Sequence, residues 1–68
     1  MLIGNRYQHY KGNKYKVIAS AKHSETLEDL VVYQDLNDSA KIWARPKNMF
    51  EDKVTIEGEQ VERFRLIS

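Results

Sequence analysis

The chain has 68 residues, eleven Lys and Arg against ten Asp and Glu, a formal net charge of +1 and no cysteine. This size reads as one domain, 1–68, that buries only about 60% of its unfolded surface, and the missing cysteines exclude disulfides and thiolate metal sites. Near-neutral charge offers no general attraction for a polyanion. Met1–Arg6 opens no apolar run of the length a membrane span or signal segment needs, so a soluble cytoplasmic protein without a membrane partner is the reading.

In chain order, Arg6–Tyr10 reads as a first strand and Lys11-Gly12-Asn13-Lys14 as a hairpin turn, since Gly12 accepts the positive φ of such turns. Tyr15–Lys22 is the second strand. A two-residue loop, Gly12-Asn13, sets Tyr10 opposite Tyr15, His9 opposite Lys16 and Tyr7 opposite Ile18. His23–Asp29 is polar and forms a loop. Leu30-Val31-Val32-Tyr33 is apolar on both faces, the mark of a central strand. Asn37-Asp38-Ser39 is a turn. Lys41–Arg45 is a fourth strand. Pro46 stops its ladder and opens a helical turn over Lys47–Phe50, which plugs the core with Met49 and Phe50. Val54–Glu57 and Val61–Ile67 form a last hairpin around Gly58.

Short apolar runs between turn residues, with no helix of normal length, give an all-β chain. The architecture expected is a small SH3-like barrel of five to six antiparallel strands with one helical turn near Pro46–Phe50, because closure removes exposed edges. The expected core is Tyr7, Val17, Ala19, Val32, Ile42, Ala44, Val54, Ile56, Phe64 and Leu66, with the Met49 and Phe50 plug.

The ordered series Tyr7-x-His9-Tyr10-Lys11-Gly12, His23-Ser24-Glu25-Thr26, Val31-Val32-Tyr33, Trp43-x-Arg45-Pro46-x-x-Met49-Phe50 and Arg63-Phe64 resembles the small bacterial proteins of domain-of-unknown-function family 1653. The resemblance covers nearly the whole chain. Ala44 departs from the Val common at that place. The resemblance implies a small β-barrel in a bacterial cytoplasm and implies no activity.

The residues themselves support binding better than catalysis. His9, His23 and Glu25 have zinc-ligand chemistry, but their spacing matches no ligand pattern and the histidines sit on different elements. Ser24 beside His23 lacks the nucleophile elbow and the orienting third group of a hydrolase. Ser24 and Thr26 instead suit a loop whose amides need short hydroxyl partners. No Gly-rich phosphate loop exists. No catalytic residue, metal or cofactor is assigned.

Trp43 and Arg45 share one strand face, opposite Ile42 and Ala44. With Ile42 and Ala44 inward, Trp43 and Arg45 lie at the barrel mouth. Trp and Arg there can stack on an aromatic or grip a carboxylate or phosphate, and both are frequent interface anchors. The function expected is a non-enzymatic binding module for a peptide or small anionic ligand. Its candidate ligand-binding residues are His9, His23, Ser24, Glu25, Thr26, Tyr33, Trp43 and Arg45. One alternative is a nucleic-acid-binding barrel using Arg6, Lys11, Lys14 and Lys16 with aromatics. The other is a small enzyme using His9 and His23 as acid and base.

Overall fold

A computed structural model describes residues 3–68, so the first two residues of the Met1–Arg6 stretch lie outside it. Seven strands and one helical turn follow in order: β1 (Arg6–His9), β2 (Lys14–Lys22), β3 (Asp29–Asp35), β4 (Ile42–Pro46), α1 (Lys47–Phe50), β5 (Lys53–Ile56), β6 (Glu59–Glu62) and β7 (Phe64–Leu66). The chain is all-β apart from α1. Five strands form one antiparallel sheet in the order β4-β3-β2-β1-β7, and β5 and β6 form a second. Among the described residues no helix is long and apolar enough to cross a membrane.

The ladder does not close, which corrects the expected barrel. β4 and β7 end the larger sheet. The segment expected as one strand from Val61 to Ile67 breaks at Arg63, so β6 pairs with β5 while β7 pairs with β1. Arg63 fixes this break with its main chain and its guanidinium. Its carbonyl accepts from the Tyr10 amide at 2.9 Å, its amide donates to the Asp52 carbonyl at 3.1 Å, and its Nε donates to the Asp52 carboxylate at 2.6 Å.

The first hairpin also differs in register from the expectation. The pairs are Arg6 with Lys16, Tyr7 with Tyr15 and Gln8 with Lys14. The Gly12 amide donates to the His9 carbonyl, and the His9 amide donates to the Asn13 carbonyl, each at 2.8 Å. The loop is therefore three residues, Tyr10-Lys11-Gly12, with Gly12 at φ +109°. This is a turn followed by a left-handed glycine, the usual three-residue hairpin. The last hairpin uses the shorter form. Glu57 at φ 51° and Gly58 at φ 82° sit between the paired Ile56 and Glu59, as a two-residue primed turn requires. At the Asn37–Ser39 turn, the Asp35 carboxylate accepts from the Asn37 and Asp38 amides at 2.7 and 3.2 Å.

The core is smaller than expected; Tyr7, Val17, Phe50 and Phe64 belong to it as expected, but β3 and β4 turn the opposite face inward. Val17, Val31, Tyr33, Phe50 and Phe64 are buried, with Tyr7 and Tyr15 packed against them. A bulge at Ile18 explains much of the change. Val17 pairs with Tyr33, but Ala19 pairs with Val32 and Ser20 with Val31. One extra residue reverses the alternation, so Ala19 leaves the face of Val17 and joins Val32 on the other side. Directly paired residues share a face, and β4 pairs Tyr33 with Trp43, Val31 with Arg45 and Val32 with Ala44. Trp43 and Arg45 thus lie on the core face, and Ile42 and Ala44 on the outer one. Ile42 is half exposed, and Ile56, Leu66 and Met49 are similarly exposed. Phe50 is the plug, at 1% exposure, stacked on Phe64 with centroids 4.1 Å apart; Met49 is not part of it.

Candidate functional site

The core face of the five-stranded sheet carries a continuous aromatic row. Tyr15 stands edge-on to Tyr33 at 5.2 Å and to Trp43 at 5.6 Å. Tyr33 lies 5.4 Å from Phe64, and His9 lies 4.9 Å from Phe64 on the far side. The rings meet because β1, β2, β3, β4 and β7 each present alternate residues to this face. Burial falls toward the β4 end, where Tyr33 is 5% exposed and Trp43 41%. The row therefore runs from a sealed centre to an open rim.

Arg45 crosses this row. Its guanidinium carbon sits 5.5 Å from the Phe64 centroid, and its Nε donates to the Tyr33 hydroxyl at 3.3 Å. Arg45 is half-buried. The two ion pairs among the described residues are Lys22–Asp29 and Arg63–Asp52, so Arg45 has no carboxylate partner there. A guanidinium on a ring face keeps N–H donors directed sideways, the geometry that meets a carboxylate or phosphate.

His9 faces the same cationic region. Partial burial lowers its pKa from the ordinary histidine value, and Arg45, Arg63 and Lys11 lower it further. Its Nδ1 accepts from the Lys11 amide at 3.2 Å, which leaves Nε2 to carry the proton of the neutral ring. An anion arriving at Arg45 relieves this repulsion.

His9, Tyr33, Trp43 and Arg45 are thus brought to one face, and His23, Ser24, Glu25 and Thr26 are not. The latter form the loop between β2 and β3. The His23 Nδ1 accepts from the Glu25 and Thr26 amides at 3.2 and 3.3 Å, and the Thr26 hydroxyl accepts from the Glu28 amide at 3.3 Å. Main-chain bonds between His23 and Glu28 and between Leu27 and His23 close the loop, with Leu27 at φ 63°. The Lys22–Asp29 ion pair, 2.6 Å, spans its neck and holds the Asp29 carboxyl below its usual range. Tyr33 lies five residues beyond Glu28 along β3, about 17 Å of extended chain. The loop is built to satisfy its own amides.

The two histidines stand at opposite ends of β2, a nine-residue strand roughly 30 Å long. They do not converge as an acid–base pair. Among the described residues no three His, Asp or Glu cluster to hold a metal ion. Of the basic groups expected of a nucleic-acid surface, Lys11 lies over the Tyr10 ring at 5.8 Å, and the other three are divided from the aromatic row. Arg6, Lys14 and Lys16 share the outer face through their register, while the rings of Tyr7 and Tyr15 share the core face.

An open groove of about 610 Å³ adjoins His9, lined by Gln8, Tyr10, Ile56, Val61, Glu62 and Arg65. Arg65 donates to the Gln8 side-chain oxygen at 2.8 Å across the β1–β7 pair. Of these residues only Tyr10 stood near the sequence-based site. Val61 and Arg65 fall in one predicted strand, and nothing in a continuous strand marks the break at Arg63 that opens the groove.

The family model for proteins of unknown function designated DUF1653 matches residues 5–66. The chain belongs to the DUF1653 family. A crystal structure of a DUF1653 protein from Bordetella bronchiseptica superimposes with a TM-score of 0.83 at 28% sequence identity, covering 97% of this chain and 87% of that one. No curated protein matches. Membership in DUF1653 agrees with the motif resemblance drawn from the sequence and assigns no activity.

Proposed function

We propose that this DUF1653 chain is a single-domain, non-enzymatic binding module that holds an anionic group, a small anion or a peptide carboxylate, against the Tyr33–Trp43–Arg45 face. The observation that carries this reading is Arg45: a half-buried guanidinium on the Phe64 ring, hydrogen-bonded to the Tyr33 hydroxyl, with no carboxylate partner among the described residues. Removing a charge from water without an opposite charge costs free energy. A site that keeps such a group is one where the missing partner arrives from outside. Trp43 supplies a ring at the open rim, and His9 adds a polar edge. The absence of cysteine fits a reducing cytoplasm, and the family resemblance supports a bacterial one.

Acetate and inorganic phosphate are the probes. Titration of isotopically labelled protein should move the Arg45 Nε–H and Trp43 indole N–H resonances together, with Kd values near the millimolar range, about −4 kcal/mol. Arg45→Met should abolish the movement. Shifts that survive this substitution, or that spread evenly over Lys11, Lys14 and Lys22, would show diffuse surface attraction instead and remove the basis of the proposal.

A further inference from the structure

β4 ends the larger sheet, and no backbone group from Ile42 to Pro46 bonds outside its ladder with β3 among the described residues. The alternation of that ladder tells which groups are free. The Asp35 amide donates to the Lys41 carbonyl at 3.0 Å, so the Asp35–Lys41 position is a hydrogen-bonded one. Such positions alternate in an antiparallel pair. Tyr33–Trp43 and Val31–Arg45 are then hydrogen-bonded pairs, and Gln34–Ile42, Val32–Ala44 and Leu30–Pro46 are not. Trp43 and Arg45 spend their backbone groups on β3. Ile42 and Ala44 turn theirs outward, as does the Pro46 carbonyl. Pro46 occupies a place where its missing N–H costs the sheet no bond.

The side chains follow the same alternation. An extended segment added along β4 sets one residue opposite Ala44, exchanging both main-chain bonds with it. That residue's two neighbours then point to the core face, one beside Trp43 and one beside Arg45. Directly opposite side chains have Cβ atoms about 4.5–5.5 Å apart. The Arg45 guanidinium leans back over β3 toward the Tyr33 hydroxyl, so contact requires Arg45 to turn toward the edge and the peptide residue to be the longer Glu rather than Asp. In an antiparallel segment the acidic residue precedes the apolar one, with a single residue between them.

We infer that the occupant is an extended peptide of the pattern Glu-x-aromatic, which adds to the free edge of β4 and places its carboxylate on Arg45 and its ring on Trp43. This rests on the reading of Arg45 as an anion site and names the form in which the anion comes. Charge complementarity favours such a peptide over a second copy of the chain. A two-fold β4 pairing about Ala44 would set Arg45 beside the partner's Trp43 and leave the guanidinium without a carboxylate. The mode is strand addition, in which main-chain bonds give affinity and alternate side chains give specificity.

The test uses the labelled full chain and a blocked pentapeptide, Thr-Glu-Thr-Phe-Thr. The peptide should shift the Ile42 and Ala44 amides along with the Arg45 and Trp43 side-chain resonances. N-methylation of its central Thr removes the donor aimed at the Ala44 carbonyl and leaves the protein untouched; it should weaken binding at least about tenfold. Ala44→Pro should do the same while acetate still shifts Arg45. Peptide binding indifferent to both changes would overturn strand addition and leave the anion site standing. Failure of both peptide and acetate would overturn the anion site itself. Self-association that competes with the peptide and vanishes in Ala44→Pro would assign the edge to a second copy and overturn the peptide.

Discussion

Replacing Arg45 by Met separates a binding arginine from a structural one. The substitution removes the hydrogen bond to the Tyr33 hydroxyl at 3.3 Å, a long contact worth about 1 kcal/mol. It also removes the contact with the Phe64 ring, worth about 0.5–1 kcal/mol at a partly exposed place. Against this, a half-buried guanidinium without a carboxylate returns to water in the unfolded chain. Relief of that desolvation contributes on the order of 1 kcal/mol for a partly buried ion. A methionine sulfur among Phe64, Tyr33 and Trp43 adds about 0.3–1.5 kcal/mol of its own. The sum lies within about 1 kcal/mol of zero. Urea unfolding followed by the fluorescence of Trp43, the only Trp in the chain, measures it directly. With m near 1 kcal/mol/M for so small a protein, the midpoint should move by less than about 1 M. A loss above about 2 kcal/mol would show that Arg45 holds the fold together and would refute its assignment as an anion-binding residue.

Other substitutions test the packing and the turns. Phe50→Leu should lower stability by about 1–2 kcal/mol, because Phe50 is stacked on Phe64 and met edge-on by Tyr7 at 1% exposure; Met49→Ala, one residue away and 47% exposed, should change it by less than about 0.5 kcal/mol. Equal effects in thermal melts would refute the assignment of the plug to Phe50 alone. Gly12→Ala meets no steric contact but keeps φ near +109°, so denaturant titration should show a loss of about 1–2 kcal/mol from backbone strain alone. The depressed pKa of His9 sets a pH dependence. The unfolded chain binds this proton more readily, so stability is fully present above the unfolded value near 6.5 and declines as pH falls through the window below it. Proton NMR titration of His9 should show its pKa rising when phosphate binds; a drop would refute the proximity of the anion to His9.

The strand positions were legible because turn residues punctuate this chain. Gly12, Asn37–Ser39, Pro46 and Gly58 each mark a boundary that the structure keeps, and the Lys47–Phe50 turn follows Pro46 as expected. The faces were not legible. Val31 and Val32 are equally apolar, so composition could not say which turns inward. The Ile18 bulge then shifts the parity of β2 in the middle of an unbroken run. Parity decides the site as well. Trp43 and Arg45 were recognisable as a same-face pair from their spacing, but placing them on the core face required the register with Val31 and Tyr33. The His23–Thr26 loop was readable as self-bonded, although the His23 ring and the Thr26 hydroxyl, rather than Ser24, accept its amides. Its distance from Arg45 depended on the length of the hairpin, which local chemistry does not encode.

The bonds of Arg63 bring a mechanical consequence. The Arg63 carbonyl ties the base of the β5–β6 hairpin to Tyr10 after β1, while the Arg63 amide and guanidinium close that base on Asp52; the hairpin's own ladder joins β5 to β6. Opening the single Tyr10–Arg63 bond should let the hairpin swing as a unit without unravelling β1, β2 and β3. Its amides should exchange with solvent through this local opening, at a free energy below that of global unfolding, and faster than those of β2 and β3. Because Ile56, Val61 and Glu62 form one wall of the groove beside His9, the same swing sets how wide that groove stands.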